Sequence, residues 1–142
     1  MPVTPLHRER GTVLGAIRDT PRTCRAIVTA ALHAHGLADL ADDACLVAGE
    51  LAANAVAALS AADDGGPGGG PVPVIVLVLG WRPTGIRIEI WDTAPGEPQM
   101  REPDWQAESG RGLRIVNDVT RGRWGFRSDG TGKCVWAEIG RP

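Results

Sequence analysis

Apolar residues recur at steps of three and four from residue 40 onward, at Leu40, Ala44, Val47, Leu51, Ala55 and Ala58. That is the period of an α-helix with one buried stripe, and it predicts a helix beginning around Asp39 and running through Ala44–Leu59. Another helix precedes it, opening at Thr20-Pro21, where threonine can cap and proline suits the first helical position. It closes near Gly36, a common carboxy-terminal punctuation. Ahead of both, residues 11–17 (Gly-Thr-Val-Leu-Gly-Ala-Ile) predict a short strand, and residues 1–10 a flexible amino terminus.

After the helices the pattern changes. Residues 60–73 are rich in Gly, Asp and Pro, the composition of a flexible connector without regular structure. Val74–Trp81 and Ile86–Trp91 then read as two antiparallel strands joined by Arg82-Pro-Thr-Gly85. Their continuous apolar character predicts a sheet with one face covered by the helices. Residues 93–109 return to loop, with Pro95, Pro98 and Pro103. A third helix opens at Gly110-Arg-Gly112 and runs to about Thr120, and Arg123–Arg127 and Cys134–Ile139 close the chain as strands. Residues 11–142 make one domain, since 142 residues suit a single core.

Composition narrows the class. With 43% hydrophobic and 23% charged residues the chain is an ordinary globular one, and a net charge of −2 disfavours direct nucleic-acid binding. Val74–Leu79 is far short of the ~20 apolar residues of a spanning helix, and the amino terminus has no signal-like apolar core. The expectation is therefore a cytoplasmic protein with no membrane partner. Cys24, Cys45 and Cys134 form no metal-binding or disulfide spacing and read as small packing residues, and His33 and His35 fall on different helix faces. The five tryptophans, mostly in or at the ends of strands, read as packing rather than as a platform for bases.

Inside the long helix, Glu50 and Asn54 stand one turn apart, with β-carbons roughly 5–6 Å from each other, so one ligand can meet both. Counted at about 100° per residue, Asn54 borders the buried stripe and Glu50 lies further toward the polar side, facing a cleft edge. Each polar signal alone has a plain explanation. Glu50 suits a solvated helix position, Asp92 can close a turn after its strand, and Gly-x-Gly before a helix is more often a turn than a phosphate site.

Their order is more specific. Helix Glu-x-x-x-Asn, strand-Asp-x-x-Pro-Gly, Gly-x-Gly-Leu on a helix, and Gly-Thr-Gly-Lys before a last strand together resemble the nucleotide-binding fold of histidine kinases, type II topoisomerases and the Hsp90 chaperone. The closer resemblance is to the small ATP-binding anti-sigma factor serine/threonine kinases of actinomycetes. It rests on residues 44–59, Trp91-Asp-Thr-Ala-Pro-Gly96, Glu108-Ser-Gly-Arg-Gly-Leu-Arg-Ile-Val116, Arg123-Trp-Gly125 and Gly132-Lys-Cys-Val-Trp-Ala-Glu138, from about Thr20 onward. It implies an α+β fold of the Bergerat type, a two-layer α/β sandwich whose mostly antiparallel sheet of four or five strands carries three helices on one face.

The resemblance also implies roles. Asn54 would bind magnesium at the ATP phosphates, Glu50 would be the general base, and Asp92 would accept a hydrogen bond from the adenine amino group. Gly96 belongs to the first glycine box, while Gly110, Arg111, Gly112 and Leu113 would cradle the phosphates. Two departures stand out. Asp92-Thr-Ala-Pro-Gly96 lacks the first glycine common in the wider family, and Gly132-Lys133-Cys134 replaces a Gly-Thr-Thr step, leaving Thr131 as the substitute hydroxyl. The implied partners are a small antagonist protein phosphorylated on serine and a sigma factor controlled by partner exchange, and relatives often pair, which allows a homodimer. The alternative is a non-catalytic switch, in which nucleotide orders residues 93–109 and changes partner affinity.

Overall fold

The computed structural model describes residues 5–62, 72–92, 108–129 and 132–141. Of the connector expected over residues 60–73, residues 60–62 instead continue α2 and 63–71 lie outside the described residues, as do 93–107 of the loop expected over residues 93–109. Six strands and three α-helices make an α+β domain: β1 His7–Arg8, β2 Thr12–Gly15, α1 Thr20–Ala34, α2 Ala41–Ala62, β3 Val74–Arg82, β4 Gly85–Asp92, α3 Glu108–Thr120, β5 Trp124–Asp129 and β6 Gly132–Gly140. The sheet runs β1-β3-β4-β6-β5, with β2 also paired to β3, and every pairing is antiparallel.

Period-two alternation sorts the sheet's two faces. Ile75, Leu77, Leu79 and Trp81 of β3, Ile86, Ile88 and Ile90 of β4, and Ala137 and Ile139 of β6 join one core with Cys24, Val28 and Leu32 of α1 and Ala44, Val47 and Leu51 of α2. The stripe of α2 ends on Leu59 rather than on the expected Ala58, which is exposed. The span Ala38–Ser60 is long and apolar enough by composition to cross a bilayer. Here its apolar stripe forms the centre of the domain core instead.

Two boundaries differ from expectation for physical reasons. Thr20 does not cap α1: its hydroxyl accepts from the Ile17 N–H at 2.9 Å and donates back to the Gly15 carbonyl, tying the helix start to β2. Residues 5–10 are not a loose tail, because His7 pairs with Trp81 and Arg8 with Gly80. Between Arg8↔Gly80 and Thr12↔Leu77 the edge carries one extra residue, a bulge that joins β1 and β2 along the same neighbour. Gly11 sits in that bulge, where a β-carbon would come within 2.5 Å of Val76 Cγ1.

The other face of the sheet is polar and aromatic. Glu89, only 2% exposed, accepts from Arg8 Nη2 at 2.8 Å, Arg87 Nε at 3.0 Å and Trp91 Nε1 at 2.9 Å. The Arg87 guanidinium also lies 4.3 Å over the Trp136 ring, and that of Arg127 lies 5.6 Å from the Trp91 ring centre. Three tryptophans therefore pack in the sheet as expected: Trp81 in the core, and Trp91 and Trp136 under arginines. Trp124 packs on the core edge and Trp105 lies outside the described residues.

The closing contact orients the layers. Arg141, just past β6, donates from Nε to Asp39 Oδ2 at 2.9 Å and from Nη2 to Asp39 Oδ1 at 2.5 Å, so the end of β6 lies beside the start of α2. The start of β6 and the end of β4, which pair as Asp92↔Lys133, consequently lie toward the later half of α2. Asn54 lies in that half, and Glu50 one turn before it at the middle of the helix.

Candidate functional site

Two helices, α2 and α3, meet at the candidate site. Glu50 and Asn54 are half-buried on adjacent turns of α2, and both face Gly112 of α3. A β-carbon on Gly112 would stand 2.5 Å from Glu50 Oε2 and 3.7 Å from Asn54 Oδ1. The glycine is therefore a notch that lets the carboxylate lie against the helix backbone. Gly112 does not have positive φ, so the close approach rather than the backbone conformation calls for glycine.

The third helix begins at Glu108, ahead of the expected opening at Gly110, so Gly110-Arg-Gly112 lies within its first turns. The first amides of a helix lack intrahelical acceptors and carry the positive end of its dipole. This places partial positive charge near the Glu50 carboxylate. Arg111 is described only in its backbone, and Gly96 and Thr131 lie outside the described residues. Leu113 is half-buried with its side chain packed against the hydrophobic core.

Asn54 carries an unsatisfied group. Its Nδ2 is buried and has no hydrogen-bond partner among the described residues. Leaving a buried polar group unmade costs about 1–3 kcal/mol, so such atoms concentrate where a ligand completes them. Rotating the amide about its last torsion exchanges nitrogen and oxygen, which would put a neutral oxygen at the same point.

Asp92 closes β4 on the helix-covered face, since it shares the parity of Ile86, Ile88 and Ile90. It is half-buried, with Ile75 opposite on β3 and Lys133 opposite on β6. Gly132 lies against the Asp92 carbonyl so closely that a β-carbon would collide with that oxygen. Glu50, Asn54 and Gly112 are thus brought together by two helices far apart in sequence, and Asp92 closes β4 on the sheet face that these helices cover.

Residues 16–139 match the histidine kinase-like ATPase domain over most of the chain. The chain belongs to this family. No curated protein matches it. As a histidine kinase-like ATPase domain it has an architecture that agrees with the expected Bergerat type, with three helices on an antiparallel sheet that has six strands among the described residues rather than the expected four or five. Membership implies that the domain binds ATP. The residues present fit that ligand: an amide on Asn54 without a partner among the described residues, a glycine notch beside a carboxylate, and a helix that begins one turn before that glycine.

The remaining cysteines stand apart from this chemistry. Burial pushes the Cys24 and Cys134 thiols up to about 11, against the smaller opposing pull of nearby arginines. Both remain protonated packing residues at neutral pH. Among the described residues no His, Cys, Asp and Glu cluster could hold a metal by itself. What sequence reasoning missed is the steric role of Gly112 and the Asp92–Lys133 pairing. Neither leaves a local signal, because each arises from residues brought together only by the fold.

Proposed function

We propose that this histidine kinase-like ATPase domain is an anti-sigma factor serine/threonine kinase, acting in the cytoplasm on a small antagonist protein and controlling a sigma factor by partner exchange. The observation that carries this reading is the joint placement of Glu50 and Asn54 against Gly112. A nucleotide-binding module without catalysis would need the Asn54 group, but it would not need a carboxylate held beside it.

Asn54 would offer its amide oxygen to magnesium, which favours hard oxygen ligands and leaves the rest of its shell to phosphates and water. Magnesium-ATP, when bound, supplies the terminal phosphoryl group and the charge neutralisation that phosphoryl transfer needs. Glu50 would accept the proton of the seryl hydroxyl as its oxygen bonds to the terminal phosphorus and the bond to ADP breaks. The amides at the start of α3, with Gly110 and Gly112, would face the phosphates, and Arg111 would bring its cation to the transferred group. Asp92 would accept from the amino group of adenine.

The test is transfer of label from terminally labelled ATP to a candidate seryl antagonist. Glu50→Gln is expected to lower transfer by about 100-fold or more, the usual weight of a positioned base, while ATP affinity is kept. Transfer that survives the substitution, or nucleotide-dependent partner binding without transfer in the wild type, contradicts the kinase reading and favours the switch.

A further inference from the structure

One row crosses the sheet at its nucleotide end. Ile75 of β3 faces Asp92 of β4, Asp92 faces Lys133 of β6, and Lys133 faces Ser128 of β5. These residues share the parity of Ile90 in the core and of Val135 and Trp124 packed against it, so the row lies on the helix-covered face. Directly opposed residues on one face have β-carbons about 5 Å apart, and a lysine stem reaches well past that distance. The register is tightly held, because only a glycine at position 132 lets β6 begin against the Asp92 carbonyl. Lys133 is half-buried and forms no ion pair among the described residues.

We infer that Lys133 is a specificity-determining residue of the base site and that it admits 6-oxopurine nucleotides as well as ATP. This inference rests on the reading of Asp92 as the base-binding residue. A carboxylate only accepts hydrogen bonds, so by itself it selects the amino group of adenine and repels the O6 of guanine or hypoxanthine. An ammonium only donates. With the two side by side, adenine presents N6–H to Asp92 and N7 to Lys133. Guanine or hypoxanthine presents N1–H to Asp92 and O6 to Lys133, in the same order around the ring and shifted by one position. A single acceptor–donor pair therefore satisfies both purine classes, and neither leaves a buried charge facing a like group.

The experiment measures binding of ATP, GTP and ITP, each with magnesium, to wild type, Lys133→Met, Lys133→Arg and Asp92→Asn. In the wild type GTP and ITP are expected to bind within about tenfold of ATP. Lys133→Met should weaken GTP and ITP by about tenfold or more, as loss of a charge-assisted bond does, and ATP by about threefold or less. Lys133→Arg should retain GTP binding because it keeps a cationic donor. Wild-type binding of ATP with GTP weaker by about 100-fold or more, or an ATP-to-GTP ratio unchanged in Lys133→Met, overturns the role of Lys133. If ATP binding is also lost in Asp92→Asn, those outcomes leave the base-site reading standing. Failure of every nucleotide to bind, or full binding by Asp92→Asn, overturns that reading and this inference with it.

Discussion

Gly112 leaves no room for a β-carbon beside the Glu50 carboxylate. The atom it would meet is the far end of a flexible side chain, so the collision is relieved by swinging the carboxylate away rather than by unfolding. Alanine is also the better residue inside a helix, by about 1 kcal/mol over glycine. Gly112→Ala is therefore expected to melt at or above the wild-type temperature while, if Glu50 is the base of the proposed kinase, phosphoryl transfer falls by about tenfold or more, since catalysis tolerates little misplacement of a base. A lowered melting temperature with unchanged turnover would show that the notch serves packing instead. The Asn54 amide makes the matching point from the binding side: its buried nitrogen has no acceptor among the described residues, and turning the amide over would put its oxygen at that point, the atom a cation would take.

Strand β4 separates two jobs by parity, with its isoleucines and Asp92 on the helix side and Arg87, Glu89 and Trp91 on the other. Removing Glu89 would leave a half-buried guanidinium and an indole N–H without their shared acceptor and would release Arg8 of β1. Glu89→Ala is expected to cost about 3 kcal/mol or more in chemical denaturation, in the range for a buried pair broken on one side. A cost under about 1 kcal/mol would mean that β1 and β4 are held by backbone pairing alone.

Glu138 on β6 gives a pH signature. Burial alone would raise its carboxyl, but the bonds from Arg82 and Arg87 outweigh burial and hold it below its ordinary 4.5. A depressed folded value stabilises the fold above the unfolded value, and that contribution disappears as pH falls through the folded one. The cost of Glu138→Gln should accordingly be full at neutral pH and fade in acid below about 4.5. A pH-independent cost would contradict the ion pairs.

The long helix and the two central strands were legible in the sequence because each carries its burial pattern within a single segment: the stripe of α2, and the apolar runs of β3 and β4. β1 was not legible, since the two residues His7 and Arg8 have no apolar period and pair only with a strand far along the chain. The start of α3 was misplaced because glycines in a first turn look like a loop. Glu50, Asn54 and Asp92 could be read as candidates from their order. Their meeting with Gly112, and the register of Asp92 with Lys133, depend on packing that no local pattern encodes.

At the scale of the molecule, one face of the sheet holds the core and the other an arginine–tryptophan lattice, and the candidate site lies on the helix-covered side where α2 and α3 meet. The clasp between Arg141 and Asp39 ties the end of β6 to the start of α2. This separation predicts which thiols are reachable. Cys24 and Cys134 are fully buried with thiols pushed up to about 11, whereas Cys45 is partly exposed beside Thr29. A maleimide should label Cys45 first in the native state and the other two only on unfolding, and native labelling of Cys134 would contradict the packing of β6.

Binding of magnesium-ATP through Asn54 and Asp92 is decided by calorimetric titration of wild type, Asn54→Ala and Asp92→Asn. Saturable wild-type binding that requires magnesium and is weakened about tenfold or more in each variant is expected. No wild-type binding at millimolar nucleotide, or variants that both bind as wild type does, would contradict it.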